Sequence, residues 1–278
     1  MRSVARYFRL LGALARYSLA REMAFRGNFL AKLAVEILWL GILLIFYRTV
    51  FAQTSVVAGW TEAEYLFFVG CYYTLGGIIE TFFLGNCAGF SDLIRSGDLD
   101  HYLLKPIDEQ FLLTCWDIDW STASNVLLGS AVMALALGQM DGWVFRPGQA
   151  LIFVLMLLCG TAIAYSFLVM LMSTAVWMVR NQSLFELWWL FSSLMRYPRE
   201  IFTQSWAQPI GWFFTFIIPV MVVANVPARV MVKRVLDPSS EEFDPAIILF
   251  TAAATVALLV VSRKFFRFAL RRYRSASS

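Results

Sequence analysis

The stretch Asn28–Phe51, with the sequence NFLAKLAVEILWLGILLIFYRTVF, decides the fold class of this chain. At about 1.5 Å of rise per residue, a helix over it crosses the roughly 30 Å hydrocarbon core of a bilayer. Lys32 and Glu36 stand one helical turn apart, so we expect them to pair with each other. The stretch therefore predicts a transmembrane helix.

The composition of the whole chain agrees with this prediction. Of its 278 residues, 60% are hydrophobic, and the mean hydropathy is +0.67. Only 15% are charged, against about 25% in typical soluble domains. Long uncharged runs account for the deficit, which indicates an integral membrane protein rather than an unusually apolar soluble one.

Other apolar runs predict further spans. They cover residues 65–84, 120–137, 150–179, 183–202 and 246–261. The run 210–223 contains Pro219 and predicts a hairpin that enters the membrane and returns, within an outer re-entrant region at 203–245. The predicted fold class is an all-α integral membrane protein with six transmembrane helices and an outward-facing re-entrant helical hairpin before the last span. Residues 1–278 form one domain.

The distribution of basic residues predicts the topology. Residues 1–26 carry arginines on one helical face and predict an interfacial helix at the membrane surface. The last span leads directly into a second basic cluster: Arg263, Lys264, Arg267, Arg271, Arg272 and Arg274. Since basic segments stay on the cytoplasmic side, an even number of spans is expected, with both termini cytoplasmic.

Motifs for catalysis are missing from the sequence. It has no P-loop, no H-E-x-x-H and no G-x-S-x-G, and His101 is its only histidine. The four cysteines are scattered, so neither a metal site nor a disulfide framework is predicted. The basic residues flank apolar segments, which indicates membrane topology and no nucleic-acid partner. An ion- or proton-coupled secondary transporter and a non-transporting membrane scaffold remain alternatives.

The most informative polar stretch is SDLIRSGDLDHYLLKP at 91–106, within a predicted loop at 85–110. Ser91 or a neighbour can cap a short helix, Gly97 can end it, and Pro106 prevents its direct continuation. The product is a compact charged helical element between two spans. It is either an ordinary solvated loop or a docking element for a partner.

The run IRSGDLDHYLLKPID at 94–108 resembles the signature I-x-x-G-x-L-D-x-x-L-x-x-P of the ABC type-2 permease family, the membrane subunits of ABC exporters. The matching residues are Ile94, Gly97, Leu99, Asp100, Leu103 and Pro106. The segments YPREIF and IIPVMVVANVPARV also resemble the family's region between the fifth and sixth spans. The likeness covers essentially the whole chain.

This resemblance implies a permease subunit of an ATP-driven exporter in the plasma (bacterial inner) membrane. ATP and Mg would bind to separate ABC ATPase subunits, so the chain itself is not expected to be an enzyme. A second permease copy or a sister permease, and membrane lipid, are the other expected partners. The loop after the second span would couple to the ATPase through Asp92, Leu93, Arg95, Gly97, Asp98, Leu99, Asp100 and Leu103.

The substrate is less constrained by the sequence. Trp39, Tyr47 and Tyr72 supply aromatic surface on the first two spans and predict a pathway for a hydrophobic or amphipathic cargo, as in multidrug or small-molecule efflux. Packing between helices would use the same residues. Glu80, a carboxylate within a span, is the fourth predicted pathway residue and could attract a cationic substrate.

Overall fold

The computed structural model describes residues 2–140, 142–178, 182–203, 206–233 and 246–273, and most of these are helical. The helices are α1 Arg2–Ala24, α2 Arg26–Phe51, α3 Glu62–Ile79, α4 Gly85–Ser96, α5 Leu99–Leu103, α6 Glu109–Cys115, α7 Ala123–Gln139, α8 Pro147–Thr174, α9 Gln182–Met195, α10 Gln208–Trp212, α11 Met221–Val232 and α12 Ala246–Arg272. Shorter elements are π-helical turns at Glu80–Leu84 and Phe213–Ile217, a 3-10 turn at Arg199–Thr203, and an antiparallel hairpin of β1 Val56–Val57 and β2 Trp60–Thr61.

The bundle has two chemically different ends. At the first, here called the α1 end, α1 contacts the segment before α6, since Arg6 donates to the Pro106 carbonyl at 3.0 Å. The C-terminal part of α12 reaches the same end, where Arg263 donates to Gln110. The opposite end, here called the hairpin end, carries β1 and β2 and the ion pair between Lys233 and Glu64.

Among the described residues, four helices are long and apolar enough to cross a membrane: Arg26–Phe51, Glu62–Ser96, Pro147–Thr174 and Ala246–Arg272. This confirms an all-α membrane protein. α7 is apolar but shorter, and α9 ends at Met195, seven positions before the predicted span does. α10 and α11 meet at a 90° bend. The predicted count of six spans therefore stays a prediction.

One boundary of the predicted loop was wrong. The helix that starts at Glu62 continues as a single 35-residue helix through α4 to Ser96. Ser91 therefore caps nothing and lies inside the helix, where its hydroxyl donates to the Ala88 carbonyl. Phe90 is fully buried and contacts Phe266 of α12, with ring centroids 6.4 Å apart. This apolar face makes 85–96 a packed helix in spite of its charges.

The closest helix pair in the core is α3 against α7. Gly70 and Gly77 of α3 face Gly129 and Val126 of α7. A Cβ on Gly77 would lie 2.8 Å from the Val126 backbone nitrogen, and one on Gly129 would lie 2.7 Å from the Gly70 carbonyl oxygen. Small residues thus permit a backbone approach that any side chain would prevent.

α11 is the most enclosed helix of the bundle. Ten of its 12 residues are buried, and it packs mainly against α8 and α3. Gln149 of α8 donates to the Val230 carbonyl at 2.7 Å, which satisfies an end of α11 that lacks further helical partners. The break at Ile218 and Pro219 turns the chain between the π-helical segment and α11. The apolar run 210–223 is therefore two elements rather than one straight helix.

The glycine contacts predict a position-specific loss of stability. Gly77→Ala places a methyl group against the α7 backbone and is expected to cost about 1–3 kcal/mol by overpacking. Gly76→Ala is the matched control, because a Cβ there meets nothing within 4 Å. Thermal unfolding in mild detergent, followed by size-exclusion chromatography, measures both. Equal melting temperatures for the two variants would contradict the tight α3–α7 contact.

Candidate functional site

The segment between α3 and α6 forms a protruding structure, here called the tip (residues 91–108). At about 1.5 Å per residue, the 35-residue helix Glu62–Ser96 extends about 52 Å, well beyond a hydrocarbon core of roughly 30 Å. Gly97 ends it in the left-handed conformation with φ +81°, as its sequence position predicts. The tip is thus the continuation of a span and not a tethered loop.

The predicted coupling residues divide into two groups. Leu99 has 0% of its side chain exposed, and Leu93 and Leu103 pack partly buried against the same core. Gly97 and Asp100 are half-buried, whereas Asp92, Arg95 and Asp98 are exposed. The leucines therefore fix the tip to the bundle, while Asp92, Arg95 and Asp98 are available to a partner.

The exposed surface of the tip carries both charge and an apolar group. Asp92 and Arg95 pair at 2.9 Å, and Asp98 accepts a hydrogen bond from the Ser96 hydroxyl at 2.7 Å. Leu104 is 82% exposed at the end of α5. The family signature marks Leu103, which packs against the core, whereas its neighbour Leu104 is the exposed leucine. Among the large apolar side chains of the tip, Leu104 is the one exposed to a partner.

α1 and α12 hold the base of the tip from two sides. Tyr7 of α1 accepts a hydrogen bond from the Asp108 backbone nitrogen at 3.2 Å, and its ring meets Phe111. Asp108 begins α6 by accepting from the Phe111 backbone nitrogen, and its carboxylate pairs with Arg263 of α12. Burial opposes ionisation of Asp108, but the hydrogen bonds from Arg263 and Phe111 outweigh it, so the pKa lies below its usual value.

A second set of contacts, here called the polar anchor, joins α1 and α2 to the loop before α7. Arg21 binds the Asp117 carboxylate at 2.6 Å, and Ser18 donates to the same carboxylate at 2.8 Å. Glu22 accepts from the Trp120 backbone nitrogen. Burial raises the pKa of Glu22, while this hydrogen bond lowers it. Asp117 thus anchors α1 to the bundle.

The predicted pairing of Lys32 with Glu36 was wrong. Lys32 instead reaches Asp119 in the polar anchor at 3.1 Å, and Glu36 accepts a hydrogen bond from Asn125 of α7 at 2.8 Å. Lys32 pairs with Asp119, which is distant in sequence, rather than with the nearby Glu36, because α2 crosses the start of α7 at this level.

The four predicted pathway residues do not form one site. Tyr47 is buried against Tyr65, and Tyr72 shares a hydrogen bond with Ser192 at 3.1 Å. Glu80 lies eight residues after Tyr72, about 12 Å further along the helix toward the α1 end. Trp39 is 62% exposed on the outer face of α2.

Sequence reasoning missed one polar residue of the core. Asn125 is 5% exposed and lies at the start of α7, between the largely polar residues 121–124 and the apolar residues that follow. Its carboxamide contacts Glu36 directly and also interacts with Glu80. A polar residue at the edge of an apolar run is the signal that identifies such a position.

The fold defines a multi-pass α-helical membrane protein with a polar tip at one end. Within its described part, no group of three or more His, Cys, Asp or Glu residues could hold a metal ion.

Residues 37–277 match the family model for ABC-2 family transporter proteins, so the chain belongs to that family. The resemblance seen in the sequence is confirmed. Its members are membrane components of ABC transporters, not enzymes themselves, and typically pair with ABC ATPases. Comparisons with curated proteins and with solved structures found no match.

The polar anchor makes a prediction about α1. Asp117→Asn removes the charge that Arg21 binds and is expected to speed tryptic cleavage within α1 by roughly fivefold, the factor for about 1 kcal/mol in a partly exposed ion pair. Limited proteolysis with mass spectrometry measures the rate. Asp92→Asn, which removes an exposed pair in the tip, is the control. Cleavage at the wild-type rate in Asp117→Asn would refute the anchor.

Proposed function

We propose that this chain is the permease subunit of an ATP-driven ABC exporter, and that its tip docks onto a separate ATPase subunit. The observation that carries the proposal is the 35-residue helix Glu62–Ser96, which joins a membrane span and the tip in one element. A force applied to the tip therefore acts directly on a helix at the centre of the bundle.

The buried leucines support the transmission of that force. Leu99 is fully enclosed, so the tip cannot shift without moving the packed side chains around it. The contact between Tyr7 and Asp108 passes movement to α1, and the pair between Asp108 and Arg263 passes it to α12. Closure of two ATPase subunits on ATP and Mg would then shift the permease between two arrangements.

The proposed topology has six spans: α2, α3 with α4, α7, α8, α9 and α12. The pair α10–α11 forms the re-entrant hairpin. The positions of the two helices support this hairpin. Gly211 of α10 packs against Phe202, and α11 ends beside Gln149 at the hairpin end. The α1 end, which carries the basic residues of α1 and α12, is then cytoplasmic in the plasma membrane. Residues 234–245 of the predicted outer region lie outside the described residues.

A second permease subunit, identical or related, completes the proposed exporter. Its support is α2, of which only 6% of the most apolar window is buried within this chain. Exposed side chains line this helix, among them Leu38, Trp39, Ile42, Ile45 and Phe46. Lipid or a neighbouring subunit can cover such a surface in a bilayer.

The exposed leucine of the tip provides the test. Leu104→Glu is expected to weaken ATPase binding by more than about tenfold, because a charge replaces the apolar contact. Purification of the tagged full chain from its native membrane in mild detergent, with mass spectrometry of the associated proteins, measures the retained ATPase.

Val144→Glu is the matched control, since Val144 is 67% exposed at the hairpin end. A P-loop ATPase that accompanies the wild type and Val144→Glu but not Leu104→Glu supports both the function and the docking site. Undiminished ATPase with Leu104→Glu contradicts the docking site. No ATPase with the wild type contradicts the proposed function.

A further inference from the structure

We infer that Glu36, Glu80 and Asn125 form a binding site for the charged group of a hydrophobic organic cation. This inference names a class of substrate for the proposed function. The claim that the cation is transported rests on that function. The binding itself is a property of this chain alone.

Three helical segments bring the site together. Glu36 lies on α2, Glu80 begins the π-helical turn after α3, and Asn125 lies near the start of α7. The Asn125 side-chain amide donates to the Glu36 carboxylate at 2.8 Å and also interacts with Glu80. The two carboxylates are close enough to repel each other. The amide thus connects two acidic groups from different helices.

The charge of this cluster is not balanced within the described part of the chain. No lysine or arginine there forms an ion pair with Glu36 or Glu80, and Lys32 is engaged by Asp119 instead. Carboxylates within a membrane protein are costly unless a positive charge or a proton compensates them. The imbalance favours a cation.

A buried polar atom without a partner gives independent support. Asn125 is 5% exposed, and its Oδ1 accepts no hydrogen bond from any described residue. A buried acceptor left unsatisfied costs about 1–3 kcal/mol, so it calls for a donor. With its amide nitrogen committed to Glu36, the site presents only acceptors: two carboxylates and one carbonyl. Such a set suits an ammonium or another cationic group and repels an anion.

The backbone and the surroundings agree with a ligand site. Glu80 opens a π-helical turn, a rare feature in α-helices that is frequent at functional sites. Tyr73 lies within electrostatic reach of both carboxylates and of Arg196. Trp39, one turn beyond Glu36 on α2, is 62% exposed and offers apolar surface for the rest of the ligand. A hydrophobic cation can reach it from the bilayer.

A proton on Glu80 is the competing explanation. Protonated Glu80 would donate to the Asn125 carbonyl oxygen and remove one negative charge, with no ligand needed. The two explanations differ in their consequences. A cluster neutralised by a proton alone has no reason to bind an organic cation saturably.

The test measures equilibrium binding of radiolabelled 4-phenylbutylammonium, a hydrophobic cation with three N–H donors, to the purified full chain in phosphatidylcholine nanodiscs. We expect saturable binding by the wild type. Glu36→Gln and Glu80→Gln should each raise the Kd by about tenfold or more, since each removes a carboxylate from the site. Glu62→Gln is the matched control, because Glu62 is exposed at the hairpin end, and its Kd should equal that of the wild type.

4-Phenylbutyrate, with a similar shape and the opposite charge, separates charge recognition from apolar adsorption. It should show no saturable binding. The inference is overturned if 4-phenylbutylammonium does not bind saturably, if 4-phenylbutyrate binds equally well, or if both glutamine variants keep the wild-type Kd. Glu36 lies on the sparsely packed α2, so Glu36→Gln tests the site even if Glu80→Gln unfolds. The binding test contains no ATPase, so a negative binding result does not contradict the proposed function. Conversely, a result that contradicts the proposed function leaves a positive binding result unchanged.

Discussion

The unbroken helix from Glu62 to Ser96 is the constraint on which the other features depend. Its hydrogen-bonded backbone makes the tip and a central span one body, so neither can be repositioned alone. Gly97 gives it a defined end, because only a residue that tolerates positive φ can turn the chain there without strain. Close packing of Gly70 and Gly77 against α7 fixes the same helix in the core. The position of the tip relative to the membrane follows from these contacts.

Charged groups at the α1 end serve mainly to attach elements that have little core of their own. α1 contacts the bundle through Arg6, Tyr7, Ser18 and Arg21. Each exposed ion pair contributes only about 0–1 kcal/mol, so the attachment depends on several contacts acting together. Interactions of this strength hold α1 in place and still permit it to move.

The sequence predicted the elements whose signal is local. α2 occupies Arg26–Phe51, within two residues of the predicted span. In a bilayer, a long apolar run must satisfy its backbone hydrogen bonds internally, and a helix does so. Gly97 ended its helix as expected, since that requirement is also local. The family signature identified the tip, but it could not separate the buried Leu99 from the exposed Leu104.

The features that could not be predicted from the sequence depend on contacts between residues that are distant in the chain. The charges in residues 85–96 suggest a loop. These residues nevertheless form a helix, because Phe90 packs on α12. Lys32 has an ideal local partner in Glu36, but Asp119 competes from the other side of the bundle. Likewise, Glu80 acquires its significance only when α2 and α7 bring Glu36 and Asn125 beside it.

The most direct test of the central claim is site-specific photo-crosslinking from position 104 in the native membrane, with position 144 as the comparison. Both side chains are largely exposed, but they lie at opposite ends of the bundle. The account predicts that a crosslinker at 104 captures a P-loop ATPase and that one at 144 does not. Capture of the ATPase from 144 alone, or from neither position, would contradict it.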